Sequence, residues 1–372
     1  MVDTTFDIIV IGAGIAGASV AAELAGAQKV LLLEREAQPG YHTTGRSAAL
    51  YTVAYGPPVI RALTRASGAY FTAPPGGEPS FLSPRGVVFV ARQDQVQALE
   101  DQRADLGDAV TPLTAAEVAE AVPLLRAGYA VAGLYDAGAS DIDVGRLHQH
   151  YLTRLRSAGG ELQCKAEVTA LTHEGEWQVD TSQGRFSAPL IVNAAGAWAD
   201  RIATLADVPP AGLVPKRRTA LIVAPPEGSD IGALPLVVDA QEDFYLKPEA
   251  GQLLISPADA TPSAPCDAQP EEMDIALCVD RIETAFDIQI RRIGHKWAGL
   301  RSFMPDGDPV AGFDPRAEGF FWLAGQGGYG IQTAPALARA AAALVQGKAL
   351  PADIAAEGVS AAALARTRPG LP

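Results

Sequence analysis

The sequence predicts an α/β fold in which a parallel-sheet domain, assembled from discontinuous segments, carries an inserted domain of mixed, antiparallel-rich sheet. Three observations lead there. An apolar run from Asp7 to Ile11 passes straight into Gly12, Gly14 and Gly17 and then into an Ala-rich stretch. A second such run, Phe320 to Ala324, is followed by Gly325, Gly327, Gly328 and Gly330 and another Ala-rich stretch. Between them, alternating apolar segments turn at Gln183-Gly184 and at Glu249-Ala250-Gly251, the pattern of antiparallel hairpins.

Taken in chain order, the β-branched residues of Asp7–Ile11 suit a strand buried on both faces of a parallel sheet. The small side chains after Gly17 let a helix, ending near Gly26, sit close to that sheet, and Lys29 to Leu33 forms the next strand. Thr114 followed by Glu117 has capping-box spacing and opens a short helix; Asp143 caps another that carries Leu147, Tyr151 and Leu155 on one face. Trp177 to Ala188 and Phe244 to Ser256 read as hairpins. Pro-rich loops fall at Pro74–Pro79, Pro209–Pro215, Pro225–Pro235 and Pro257–Pro270. The final helix runs from the Gly-rich segment to about Leu344, and the tail after Thr367 is expected to fray. Residues 1–50, 143–205 and 296–372 are assigned to the parallel-sheet domain and residues 51–142 and 206–295 to the inserted, substrate-binding one, with the active site at their interface.

Composition narrows the function. With 43 acidic against 29 basic residues in 372, the net charge is −14, which disfavours nucleic acid or an anionic membrane as partner. Cys164, Cys266 and Cys278 form no CxxC pair, so neither a disulfide framework nor a zinc ribbon is read, and a reducing cytosol is the expected compartment. No basic residue precedes the apolar stretch Phe6–Ala27 and Glu23 interrupts it, so it is read as strand and helix, with no integral membrane segment. His148 and His150, two apart on a helix, face different directions and do not suggest a metal site.

The chemistry starts at Gly12-x-Gly14-x-x-Gly17. These glycines permit a tight turn, close approach of backbone to a pyrophosphate and close helix packing, with the helix N-terminus adding partial positive charge. Glu34 follows Gly12 by 22 residues, where a carboxylate accepts from ribose hydroxyls and repels a 2′-phosphate, so NADP is disfavoured. The spacing leaves NAD and FAD both open.

Seven dispersed segments bear on that choice: VIGAGIAGAS from Val10, LEREAQPGYHTTGRSAALYTVAYG from Leu33, VNAAGAWAD from Val192, PKRRTA from Pro215, DFYLKP from Asp243, WAGLRSFMPDGDPVAG from Trp297 and GQGGYGIQT from Gly325. Through them nearly the whole chain resembles flavoenzymes of the D-amino acid oxidase superfamily, most closely the bacterial D-arginine dehydrogenases. The resemblance implies FAD, held by Gly12, Gly14, Ala16, Gly17, Glu34, Arg35, the loop residues Thr43, Thr44, Arg46, Ser47 and Ala48, and Val168, Ala195, Gly196, Trp198, Arg301, Gly327, Gly328, Tyr329, Gly330, Ile331 and Gln332. Thr43, Thr44, Arg46 and Ser47 would offer donors to the diphosphate, and the helix opening near Gly330 would favour negative charge on the flavin.

The resemblance also implies that Arg218 and Arg301 clamp a substrate carboxylate, joined by the hydroxyls of Tyr55 and Tyr245, with Gly328 at the same centre. The bland alternatives are a solvated basic patch of Lys216, Arg217 and Arg218, and two core tyrosines. Arg301, between Leu300 and residues up to Phe303, calls for a buried partner. The implied reaction is oxidative deamination of a D-amino acid by hydride transfer from the α-carbon to flavin, with oxygen, a quinone or another acceptor reoxidising it. A quinone acceptor would place the protein at the periphery of the inner membrane. His42 and His295 are the histidines considered as bases, though no obligatory base is read. Relatives that take cationic substrates carry a histidine at the Leu50 position and a glutamate after the segment matching Ser83-Pro84-Arg85; here Gly86-Val87-Val88 follows, which implies apolar or small neutral substrates. Relatives with tethered FAD use a cysteine near the last flavin segment, and none lies beyond Cys278, which implies non-covalent FAD. The competing readings are a sarcosine- or glycine-type amine oxidase, a 2-hydroxy-acid dehydrogenase, an NAD-dependent dehydrogenase and a non-catalytic flavin-binding module.

Overall fold

A computed structural model describes residues 5–372; residues 1–4 of the first expected segment lie outside the described residues. Six strands form one sheet in the order Val310–Phe313, Phe320–Ala324, Leu190–Asn193, Ile8–Ile11, Val30–Leu33, Glu161–Gln163. All its pairings are parallel except that of the edge strand Val310–Phe313. Strand alternation sends Ile8, Val10, Val30 and Leu32 towards helices Ile15–Leu24 and Gly330–Val345. Their neighbours Ile9, Ile11, Leu31 and Leu33 pack on the other side against Trp177, Val179 and Phe186 of a three-stranded sheet. All eight are buried, each contributing about 2 kcal/mol of apolar transfer. That two-sided burial is why the strands read as unbroken apolar runs.

A nine-stranded sheet runs Gln326–Gly327, Ile293–Phe303, Val214–Val223, Gln252–Ser256, Tyr245–Glu249, Leu236–Asp239, Val87–Ala91, Ala132–Asp136, Thr111–Thr114. Only Leu236–Asp239 beside Val87–Ala91 is parallel. One face is covered by helix Glu272–Ala285, whose Cys278, Ile282 and Ala285 pack with Leu221, Leu246 and Ile255. The other face lines the cleft described below.

Local signals and structure agree at several points. Thr114 caps helix Ala115–Ala121 in a reciprocal box with Glu117, and Asp143 Oδ1 accepts from Arg146 N at 2.9 Å to open helix Val144–Ser157. The turn Ala250-Gly251 takes positive φ at both residues, +48° and +76°, as a two-residue hairpin demands.

Four expectations are corrected. Thr181 pairs with Gly184, so the other hairpin turns at Ser182-Gln183, one residue earlier than read. Helix Pro58–Thr72 came from a segment expected in the inserted domain. It buries Leu63, Tyr70 and Phe71 in the core shared with helices Ile15–Leu24 and Gly330–Val345, because its apolar stripe faces that core. Conversely, strand Ile293–Phe303 pairs with Val214–Val223 over its length, which carries residues 296–303 into the nine-stranded sheet. The tail does not fray: Arg368 pairs with Asp306 at 2.6 and 2.9 Å and donates to the carbonyls of Asp308 and Pro309, while Arg366 holds Pro372 O at 2.7 Å.

Candidate active site

Where strand Ile8–Ile11 gives way to helix Ile15–Leu24, Gly12 adopts φ +100°. A Cβ there would lie 2.6 Å from Ala194 O, and one on Gly17 would lie 1.7 Å from Gly12 O. The turn is closed against Ala194 and against itself, so both positions admit only glycine. The helix lacks a capping side chain of its own; Thr44 Oγ1 supplies one by accepting from Ile15 N at 2.9 Å. Buried Glu34 accepts from Ala13 N at 3.0 Å and from Glu36 N at 2.9 Å, which aims its carboxylate and leaves lone pairs for a ligand. Behind the turn, His148 Nε2 donates to Ala13 O at 2.9 Å, and burial pulls this imidazole below its ordinary value despite that bond.

The loop Thr43–Ala48 lines the cleft but does not present its donors as expected. Thr43 Oγ1 donates to Leu300 O at 2.7 Å, and Arg46 Nη1 donates to Ala268 O and Ala298 O at 3.0 and 2.9 Å, with Nη2 paired to Asp267. These two residues anchor the loop to strand Ile293–Phe303 and to the Pro257–Pro270 loop. Only the Ser47 hydroxyl is left without a partner, among the described residues of this loop's expected donors, while Thr44 retains its O–H. The remaining residues expected at the cofactor all border the cleft except Gly17, which lies behind Gly12, and Tyr329, whose ring packs on Tyr55 at 4.8 Å.

Arg218 stands opposite Gly299 on neighbouring antiparallel strands, and Arg301 opposite Lys216. Arg218, Ala220, Gly299 and Arg301 therefore share the face that borders the cleft. Arg218 Nε donates to Asp259 O at 2.7 Å, which leaves the outer fork free, and its guanidinium carbon lies 5.9 Å from the Tyr245 ring centre. Arg301 Nη1 lies 3.5 Å from Tyr55 Oη, and no ion pair holds its charge among the described residues. Burial alone pulls the Arg301 guanidinium down; Tyr55, Tyr245 and the Glu242 carboxylate more than offset that and hold it above its ordinary value. Gly328 makes room for it, since a Cβ there would come within 2.9 Å of Arg301 Nη1.

The same sheet face supplies an apolar wall. Phe89, Val238 and Tyr245 are successive partners across three strands, with Val87 and Leu236 in the next row, and all five border the cleft together with Leu50. Sequence reading reached Leu50 and Val87 but not Phe89, Leu236 or Val238; strands buried on both faces show no alternation to tell which side chains face a ligand. Glu242, Gln326 and Ser302 were missed too, and no local signal marks them. His42 borders the cleft beside Glu36, 2.9 Å away, and Trp198; His295 stacks on Trp297 and is not part of the lining. Neither histidine contacts Arg218 or Arg301 among the described residues.

Three buried polar atoms on the cleft wall have no protein partner: Gln326 Nε2, Gln332 Nε2 and Ser302 Oγ. The first turn of helix Gly330–Val345, which has no capping side chain, opens onto the same space. Backbone cleared by glycine, a carboxylate at one end and orphaned donors at the other fit a dinucleotide whose second half carries hydrogen-bonding edges.

Comparison with known proteins agrees with this fit. A glycine oxidase of Geobacillus kaustophilus is 27% identical over 252 residues, 67% of this chain and 65% of that protein. Its kind is also represented by a crystal structure that superimposes with a TM-score of 0.79 at 24% identity, covering 93% of this chain and 95% of that one. A Pseudomonas aeruginosa glycine oxidase is 28% identical over 92% of this chain and 95% of its own length. Human mitochondrial dimethylglycine dehydrogenase is 32% identical over 147 residues, 38% of this chain and only 17% of that protein. The matched regions thus span less than two thirds of two of these three relatives. The family model described as DAO, FAD dependent oxidoreductase, matches residues 7–344, and with nearly the whole chain inside that match the protein belongs to this family of FAD-dependent oxidoreductases.

Proposed function

We propose that this enzyme oxidises the Cα–N bond of small or apolar α-amino acids bearing a free carboxylate, yielding an imine that water hydrolyses to a 2-oxo acid and ammonia. The observation that carries the reading is the pair Arg218 and Arg301, two guanidinium groups on one sheet face with the Tyr55 hydroxyl and the Tyr245 ring beside them. Two forks of this kind bind a carboxylate with direction as well as charge, which fixes the α-carbon against the cofactor. FAD, when bound, supplies the acceptor for the α-hydrogen as hydride. Gly12, Gly14, Glu34, Ser47, Gln332 and the first turn of helix Gly330–Val345 would hold it, without a covalent tether, since no cysteine borders the cleft among the described residues.

The apolar wall of Leu50, Val87, Phe89, Leu236 and Val238 supports a substrate with a side chain, because glycine would leave that surface uncovered. The D configuration is proposed from the resemblance to D-arginine dehydrogenases. A second reading, oxidation of glycine or an N-methylated glycine, is favoured by the names of the relatives: two glycine oxidases and a dimethylglycine dehydrogenase. Anaerobic mixing of the yellow holoenzyme with D-leucine, L-leucine, D-arginine, glycine and sarcosine separates the two. Bleaching by D-leucine alone is the expected result, and bleaching confined to glycine or sarcosine replaces the first reading by the second. Return of colour on admitting air would identify oxygen as an acceptor; a persistently bleached flavin would point to a quinone or another carrier.

A further inference from the structure

The end of strand Leu236–Asp239 and the turn that leads from it to strand Tyr245–Glu249 carry three acidic residues, and two of them are engaged. Asp239, 1% exposed, accepts from Gln95 Nε2 at 2.9 and 3.0 Å, from Gln241 N at 3.0 Å and from Asp243 N at 3.3 Å. Asp243 pairs with Arg281 at 3.1 Å. The third, Glu242, is held by its backbone alone: its N–H donates to Asp239 O at 2.8 Å and its φ is +59°. A left-handed conformation at a non-glycine residue persists where the surroundings impose it, here the hydrogen bonds converging on Asp239. The Glu242 carboxylate takes part in no hydrogen bond or ion pair among the described residues, yet it borders the same cleft as Arg218 and Arg301. Its charge is felt by Arg301 and by the Tyr329 phenol, which burial first and then Tyr55 and Glu242 push up. The turn that carries Glu242 leads within three residues into Tyr245, whose ring centre lies 5.9 Å from the Arg218 guanidinium carbon, which places the residue at the clamp end of the cleft.

We infer that Glu242 determines specificity by recognising the substrate's α-ammonium group while Arg218 and Arg301 take its carboxylate. The inference rests on the proposed amino acid reading of the same clamp. Two guanidinium groups facing one carboxylate match a zwitterion in sign at both ends. A 2-hydroxy acid of the same shape brings only an anion and leaves Glu242 repelling it across the cleft. An exposed rim carboxylate pairs with the ammonium form on arrival and takes no part in bond-making, so its influence falls on binding.

The test uses the holoenzyme and a matched pair that lacks an α-hydrogen and so does not turn over: 2-amino-2-methylpropanoate and 2-hydroxy-2-methylpropanoate. Dissociation constants come from the visible flavin difference spectrum of wild type and Glu242→Gln, a change that keeps shape and removes charge. The amino acid is expected to bind about fivefold more weakly to the variant, the scale of a solvent-accessible ion pair, with the hydroxy acid unchanged or tighter. Equal weakening of both ligands would mean that Glu242 serves only the turn, and unchanged binding of the amino acid would assign the ammonium elsewhere; either overturns the inference while leaving the carboxylate clamp standing. A wild-type flavin that responds to neither ligand would overturn the clamp reading as well.

Discussion

Arg217 and Arg218 are neighbours in the chain and stand on opposite faces of one strand. Arg217, 8% exposed, is paired with Asp274 at 2.9 Å and Asp259 at 3.7 Å and also with Glu271, while Arg218 borders the cleft. Period-two geometry alone separates a charge paired within the protein from one presented to the cleft. Arg217→Gln should lower stability by about 3 kcal/mol, because it strands the largely buried Asp259 carboxylate and the half-buried Asp274, and leave the cleft arginines in place in whatever folds. Arg218→Gln should leave the melting temperature within a degree or two and reduce kcat/KM by about 10- to 100-fold, the scale of a lost charge-assisted hydrogen bond. Parallel thermal melts and steady-state kinetics decide it; a cost in stability for Arg218 equal to that for Arg217 would return it to a structural role.

Gly328 sits against the Arg301 guanidinium without needing a left-handed backbone, so alanine there tests space alone. The added Cβ, 2.9 Å from Nη1, must displace the end of the arginine by several tenths of an ångström. Gly328→Ala is expected to keep FAD and to lower kcat/KM at least tenfold, since misplacing a positioning group by about 1 Å is enough for such a loss. Kinetics on a variant with full flavin content is the check, and unaltered kcat/KM would mean that Arg301 does not need its present position.

Glu34 receives two backbone N–H groups, from Ala13 and Glu36, and so carries its charge at a fixed place at the glycine turn. Glu34→Gln keeps one acceptor but puts an NH2 against an N–H donor, so FAD affinity should fall about 10-fold. Fluorescence titration of the apoprotein with FAD measures it. Acid precipitation of the wild type should carry the yellow colour into the supernatant, in keeping with a cleft whose described lining holds no cysteine; colour retained in the pellet would require a covalent bond to another side chain.

How much of this was legible beforehand depended on whether a residue's role was local. The glycine turn, the capping box at Thr114 and the cap at Asp143 rest on contacts within a few residues, and they are where the sequence placed them. Arg218 and Arg301 were reached only through resemblance, since their convergence depends on pairing strands 83 positions apart, which no spacing reveals. Thr43 and Arg46 looked like phosphate donors because their partners, Leu300, Ala268 and Asp267, lie more than 200 residues away. Glu242 was invisible for the complementary reason. Its importance lies in the partners it lacks, and these are known only once Asp239 and Asp243 are seen to be occupied.

His148 gives the glycine turn a pH dependence. Its Nε2–H holds Ala13 O, and burial keeps the ring below its ordinary value of 6.5, so the folded protein disfavours the proton that the unfolded chain accepts. This contribution is fully present above that ordinary value and is lost as pH falls towards the lowered folded value, with a slope of at most about 1.4 kcal/mol per pH unit. Buried Asp136 and Asp259, both pushed up by burial, act in the opposite sense: each makes stability fall as pH rises through its raised value. The His148 part is isolated by difference. His148→Gln offers an N–H to Ala13 O without a titrating ring, so its stability between pH 6.5 and 5.5 should decline less steeply than that of the wild type. Urea unfolding midpoints of both proteins across that window measure the difference, and parallel curves would show that His148 is free to protonate in the folded state. Because Ala13 also donates to Glu34, FAD release from the wild type on acidification should follow the same window and be shifted to lower pH in the variant.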